Sequence, residues 1–140
     1  FIDKKIITNP EEVNKVLKIG KNEKFINVKR IRLAGGKKVC LTNSFFLFSI
    51  FNDFSDEDFS DQSMWNRIDE KYHIKPEKSL QDVYSRKINK SEADLLGLNK
   101  DDPVLIKDSA YYTSRMKFIC FINAVLNSDF KAHNASLLSL

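Results

Sequence analysis

Arg30 and Arg32 are the two residues whose types and spacing hold the most chemistry. They lie two apart in 25–33, a stretch whose apolar residues predict a strand, so both guanidiniums leave one face, which Ile26 and Val28 share. Two cations continuing a partly apolar face call for an anion, because unpaired charge is costly to bury. The planar guanidinium fork matches phosphate or carboxylate. Solvation, or pairing with Asp or Glu of the same domain, explains the pair as well. Ser63 stands at a predicted helix start, where free N–H groups and the dipole favour an anion. An ordinary N-cap is the plainer role for it, and nearby Asp61 opposes an anion.

Other chemistries find little footing. His73 and His133, the 2 histidines, have no carboxylate or cysteine at metal-ligand spacing. Asp53, Asp56 and Asp58 invite a calcium reading, but Asp58 stands where the calcium-binding loop needs Gly and Met64 where it needs Glu. No Ser-His-Asp or Cys-His arrangement and no phosphate-binding glycine loop can be read. The 2 cysteines, Cys40 and Cys120, make no disulfide framework and read as buried free thiols, compatible with a reducing cytoplasm.

The elements that must position the arginines follow from local signals. Asn9-Pro10-Glu11-Glu12 predicts a helix start with Asn9 as cap and Glu12 closing a capping box, running to Gly20. Gly35-Gly36 predicts a tight turn between strands 25–33 and 39–48. A clean two-residue turn there puts Thr42 on the face opposite the arginines, whereas a bulge reverses the parity. The interval 45–59 holds six of the 11 phenylalanines, interleaved with acids in its second half, and reads as strand end followed by a loop or short helical turn. A helix over 63–72, a strand over 80–88, a short helix over 91–96 with an Asn89–Glu92 capping box, and strands over 104–112 and 118–126 complete the order. The result is an α+β fold, one antiparallel sheet with helices packed against it.

Length and composition agree. A chain of 140 residues, 42% hydrophobic and 30% charged, suits one domain over 1–140. The net charge of +4 comes without a basic block, and no apolar run reaches the roughly 18 residues of a membrane span. No cofactor is expected.

The motif order resembles the UTRA effector-binding domain of GntR-family transcription regulators of the HutC subfamily. Asn9-Pro10-Glu11-Glu12-Val13 with Leu17 and Gly20 is similar to the family's opening helix. Arg30-Ile31-Arg32-Leu33-Ala34-Gly35-Gly36 resembles its Arg-x-Arg-Leu-Ala-Asp-Gly hairpin, and Ser63-Met64-Trp65 its Ser-x-Tyr helix start. Ala93 to Leu98 and Pro103-Val104-Leu105 resemble its Ala-x-x-Leu-Gly helix and the Pro-Val-Leu that follows. The likeness spans about residues 5 to 131. It implies a chorismate-lyase-like sheet, a small anionic effector such as a sugar phosphate, a homodimer, a cytoplasmic location, and a DNA-binding winged helix-turn-helix outside this chain. It implies a ligand site at Arg30, Arg32, Ser63 and Trp65, with Thr42 and Cys120 at positions where relatives carry glutamates that meet sugar hydroxyls. Leu126 falls where they carry a tyrosine. These substitutions make a dimerisation module with a degenerate pocket the alternative, and a chorismate-lyase-type enzyme a more distant one.

Overall fold

Gly35 and Gly36 both take positive φ, 56° and 79°, as a two-residue hairpin turn with the twist of its strands requires. They fold β2 (Lys24–Ala34) back onto β3 (Lys37–Leu47). Beyond the turn the ladder slips once. Leu33 pairs with Lys38, but Arg32 pairs with Cys40, so Val39 is an extra residue in β3. Arg30 therefore sits opposite Thr42, and the bulge brings Thr42 onto the arginine face.

The structure, a computed structural model, describes residues 3–15, 17, 22–54 and 64–127. Besides the hairpin it contains β1 (Asp3–Thr8), α1 (Glu11–Asn14), α2 (Phe48–Phe51), α3 (Met64–Tyr72), β4 (Lys78–Lys87), α4 (Lys90–Leu96), β5 (Pro103–Tyr112) and β6 (Phe118–Leu126). The strands form one 6-stranded sheet in the order β1-β2-β3-β6-β5-β4, and every pairing is antiparallel. The α+β fold with helices on an antiparallel sheet is thus what the chain adopts.

Helices cover both faces. On the arginine face, Phe51 of α2, Phe54 three residues beyond it and Ile68 of α3 pack onto Ile26, Phe46 and Cys120. Phe46 meets Phe51 and Phe54 edge-on at 5.3 and 5.5 Å, and Tyr72 closes the group against Phe51 at 5.0 Å. These described phenylalanines are core. On the opposite face, Val13 of α1 packs with Phe25, Phe45 and Phe121, and Ala93 and Leu96 of α4 pack with Leu41, Ile106 and Val125.

Two elements differ from the sequence reading. β1 is an additional edge strand, pairing Asp3 to Thr8 with Lys29 to Lys24. Asn9 does not cap α1: Pro10 occupies the N-cap position with no side-chain cap bond. Asn9 instead has a positive φ of 53°, and its carboxamide oxygen accepts from Asn14 Nδ2. Gly20 lies outside the described residues.

The α4 start is as its sequence reads. Asn89 Oδ1 accepts from the Glu92 backbone N–H at 2.8 Å, and Glu92 Oε1 accepts from the Asn89 N–H at 3.2 Å. Arg86 adds a bidentate pair to the same carboxylate, 2.8 Å at each oxygen. Gly97 ends the helix at φ 68°. Burial works against the Glu92 charge, but the Arg86 and Asn89 bonds outweigh it and hold the carboxyl below its ordinary 4.5. A depressed carboxyl stabilises above its unfolded pKa, and that contribution is lost as pH falls through the folded value. Glu92→Gln is therefore expected to cost about 1–2 kcal/mol at neutral pH. Urea unfolding at pH 7 and at pH 3 should show the gap from wild type closing at the acid end.

Candidate functional site

Four cross-strand rows make the arginine face. Ile26, Phe46, Cys120 and Tyr111 form the first, and Val28, Ser44, Ile122 and Ser109 the second. Arg30, Thr42, Ala124 and Lys107 form the third, and Arg32, Cys40, Leu126 and Leu105 the fourth. In the first row Ile26, Phe46 and Cys120 are sealed beneath the helices, while Tyr111 at the β5 end borders the cavity. From the second row onward the side chains at mid-sheet are short, and a cavity of about 120 Å³ opens.

Its floor is Thr42, Ser44, Ala124 and Ile122; Arg30 and Arg32 stand on the β2 side and Lys107, Ser109 and Tyr111 on the β5 side. Met64 and Trp65, at the start of α3, form a wall, with Trp65 against Tyr111 at 5.0 Å between ring centroids. Cys40 and Leu126 complete the lining at the fourth row. Arg30 is half-buried and Arg32 exposed, so the cationic side faces the mouth. Among the described lining residues none is a carboxylate.

Of the residues expected at the site, the structure brings together Arg30, Arg32, Thr42 and Trp65. Ser63 lies outside the described residues. Cys120 is corrected: it shares the face but is 0% exposed, sealed in the first row by the helix packing, and it does not line the cavity. Ile122, one step further along β6, takes that place. Lys107 was not anticipated. Its run, Val104 to Tyr112, places Lys107, Asp108 and Ser109 in succession with no alternation, so nothing local marks which polar residue faces the arginines.

Burial shifts the protonation of several lining groups. It pushes the Cys40 thiol up to about 11, which the neighbouring Arg32 charge only partly offsets. It raises the Tyr111 phenol, with hydrogen bonds to Ser109 and Gln81 pulling the other way. It lowers the Lys107 ammonium. Cys120, fully enclosed, is raised well above 9.0.

The opposite face carries a second, larger recess of about 710 Å³ between α1 and α4. Several of its polar groups bond one another. Asn123 donates to Asp108 at 2.7 Å, Tyr84 donates to the same carboxylate at 2.9 Å, and Arg86 is held by Glu92. Asn27 donates to Asn43 at 2.5 Å beneath them. These bonds bridge strands and anchor α4, so the recess reads as a structural polar layer. Among the described residues no group of acidic, His or Cys side chains could hold a metal ion.

The family model of the UTRA domain matches residues 1–130. The chain belongs to the UTRA domain family. Its fold is similar to that of YydK, described as a transcriptional regulator of Bacillus subtilis, at 25% identity and a TM-score of 0.82 over 91% of this chain. This domain spans 57% of the YydK chain. It also superposes on the ligand-binding domain of a protein described as a GntR-family regulator from Bordetella bronchiseptica, at 14% identity and TM-score 0.84, covering 91% of this chain and 80% of that one. A GntR-family regulator from Enterococcus faecalis V583 gives 14% identity and TM-score 0.83, covering 94% and 95%. Comparison with curated proteins returns no match. No helix among the described residues of this UTRA domain is long and apolar enough to cross a membrane.

Both cysteines of the domain are free and buried. A thiol reagent at pH 8 is expected to modify neither in the native protein and both in urea, since thiolate and access are needed together. A thiol that reacts quickly before unfolding would place Cys40 in the open.

Proposed function

We propose that this UTRA domain is the effector-sensing and dimerisation part of a GntR-family regulator of the HutC type. Its ligand is a small anionic metabolite, a sugar phosphate or another phosphate or carboxylate, seated in the Arg30/Arg32 cavity. In the whole protein, ligand binding shifts the equilibrium between two arrangements of a dimer and so changes DNA binding by winged helix-turn-helix heads. The domain has no catalytic role in this reading, and the regulator works in the cytoplasm.

One observation carries it: two arginines from one strand open into the same cavity as a hydroxyl floor and an aromatic wall. Guanidinium forks supply charge-assisted hydrogen bonds to phosphate or carboxylate. The cavity also favours sensing over a dimerisation module with a degenerate pocket, which would have filled this space with side chains. Thr42 and Leu126, where relatives present carboxylate and phenol, leave sugar hydroxyls poorly answered. That weighs toward a less hydroxylated ligand than a sugar phosphate.

Thermal unfolding with a panel of sugar phosphates, alkylphosphonates, short carboxylates and fatty acids tests the reading. A ligand at 100 times its dissociation constant should stabilise the native state by about 2.7 kcal/mol. The rise in melting temperature should vanish in Arg30→Ala/Arg32→Ala. A well-folded wild type that responds to no anion would contradict sensing and leave the dimerisation module.

A further inference from the structure

β4 ends the sheet, and no described strand pairs with its outer side. It is exposed along nearly its whole length of 10 residues. Leu80, Val83 and Tyr84, all on this strand, are 62%, 56% and 42% exposed. A long bare edge carrying apolar side chains is a template for another strand. Ile88 donates to the Asp102 carbonyl at 2.8 Å across the ladder. By alternation from that bond, Leu80, Asp82, Tyr84 and Arg86 turn their backbone groups to β5, while Ser79, Gln81, Val83 and Ser85 turn theirs outward. The other edge of the sheet, β1, has 6 residues and carries Lys4 and Lys5, the kind of charge that guards an edge.

We propose that β4 is the homodimer contact: the β4 strands of two copies pair antiparallel about a twofold axis at Val83 and join their sheets into one. This deepens the dimerisation part of the proposed function and rests on it. A twofold contact must be complementary to itself. Outward backbone groups must meet outward groups, so the axis passes through a residue and not between two. An axis at Asp82 would set two carboxylates directly opposite, which is unfavourable. An axis at Val83 matches the strands over 79–87. It brings the two valines together and sets Gln81 opposite Ser85 and Ser79 opposite Lys87 on the arginine face. On the other face it sets Asp82 opposite Tyr84 and Leu80 beside the aliphatic stem of Arg86. No like charges then stand directly opposite. The same rows reach the cavity, since Val83 pairs with Lys107 and Gln81 with Ser109, both in its lining. The axis stands perpendicular to the joined sheet. The cavities of the two copies therefore open on one face, with only β4 between the contact and the β5 wall of each.

Sedimentation equilibrium and cross-linking test the contact. Wild type should be a dimer at micromolar concentration. Val83→Lys puts two ammoniums at the axis and should weaken the dimer about tenfold or more. Val83 is exposed, so the circular dichroism spectrum should not change. Val83→Cys should be joined into a covalent dimer by bismaleimidoethane, because the two Cα atoms of a bonded antiparallel pair lie about 5.5 Å apart. Lys87→Cys should not, because eight residue steps separate its two copies by about 26 Å along the strands. A wild-type dimer that Val83→Lys leaves intact would overturn the β4 contact alone. So would cross-linking through Lys87→Cys and none through Val83→Cys. A wild type that stays monomeric would overturn this inference and the dimerisation reading with it, while anion sensing keeps its own test.

Discussion

One extra residue in a hairpin governs the site. Val39 makes β3 slip against β2, so Cys40, Thr42 and Ser44 face the same way as Arg32, Arg30 and Val28. Side chains alternate strictly along a strand, so without the slip the first half of β3 would turn Leu41 and Asn43 toward the arginines instead. The consequence spreads further. β6 takes its register from β3 and β5 from β6, which sets Ala124 and Lys107 in the arginine row. A local irregularity beside two glycines thus fixes which residues of four strands share one cavity.

The two faces divide the work. On one, the phenylalanine group under α2 and α3 holds Met64 and Trp65 over the sheet, and the aromatic contact of Trp65 with Tyr111 ties that wall to β5. On the other, Asp108, Asn123, Tyr84, Arg86 and Glu92 satisfy one another and bind α4 to the sheet. Polar residues are present on both faces; on the second their bonds bridge strands and a helix, while on the first short side chains at mid-sheet leave a cavity beside two arginines.

Much of the fold was legible because its signals are local. Gly35-Gly36 needs no tertiary context to turn the chain, and Asn89, Glu92 and Gly97 mark both ends of α4 by their own hydrogen bonds and backbone angles. β1 was not legible: Asp3-Lys4-Lys5-Ile6-Ile7-Thr8 lies at the sheet edge, mostly exposed, and carries no alternation; only pairing with β2 makes it a strand. Asn9 has cap chemistry, but its left-handed backbone forbids the cap geometry. At the site, the Arg30/Arg32 pair was readable from spacing. Thr42 was undecidable without the bulge, and Cys120 looked available because a sequence does not show how far the α2–α3 aromatic group reaches along β6. Lys107 gave no signal, since its place in the cavity lining depends on two intervening strands that set it in the row of Arg30.

The most direct test of an anion held by Arg30 and Arg32 is to watch the arginine side chains themselves. In a ¹⁵N-resolved titration with propylphosphonate, the Nε–H resonances of Arg30 and Arg32 should move in step with saturation, together with the Trp65 indole. That of Arg86, engaged by Glu92 on the opposite face, should stay in place. Movement of Arg86 with Arg30 and Arg32 unchanged would put the anion in the other recess and contradict the account.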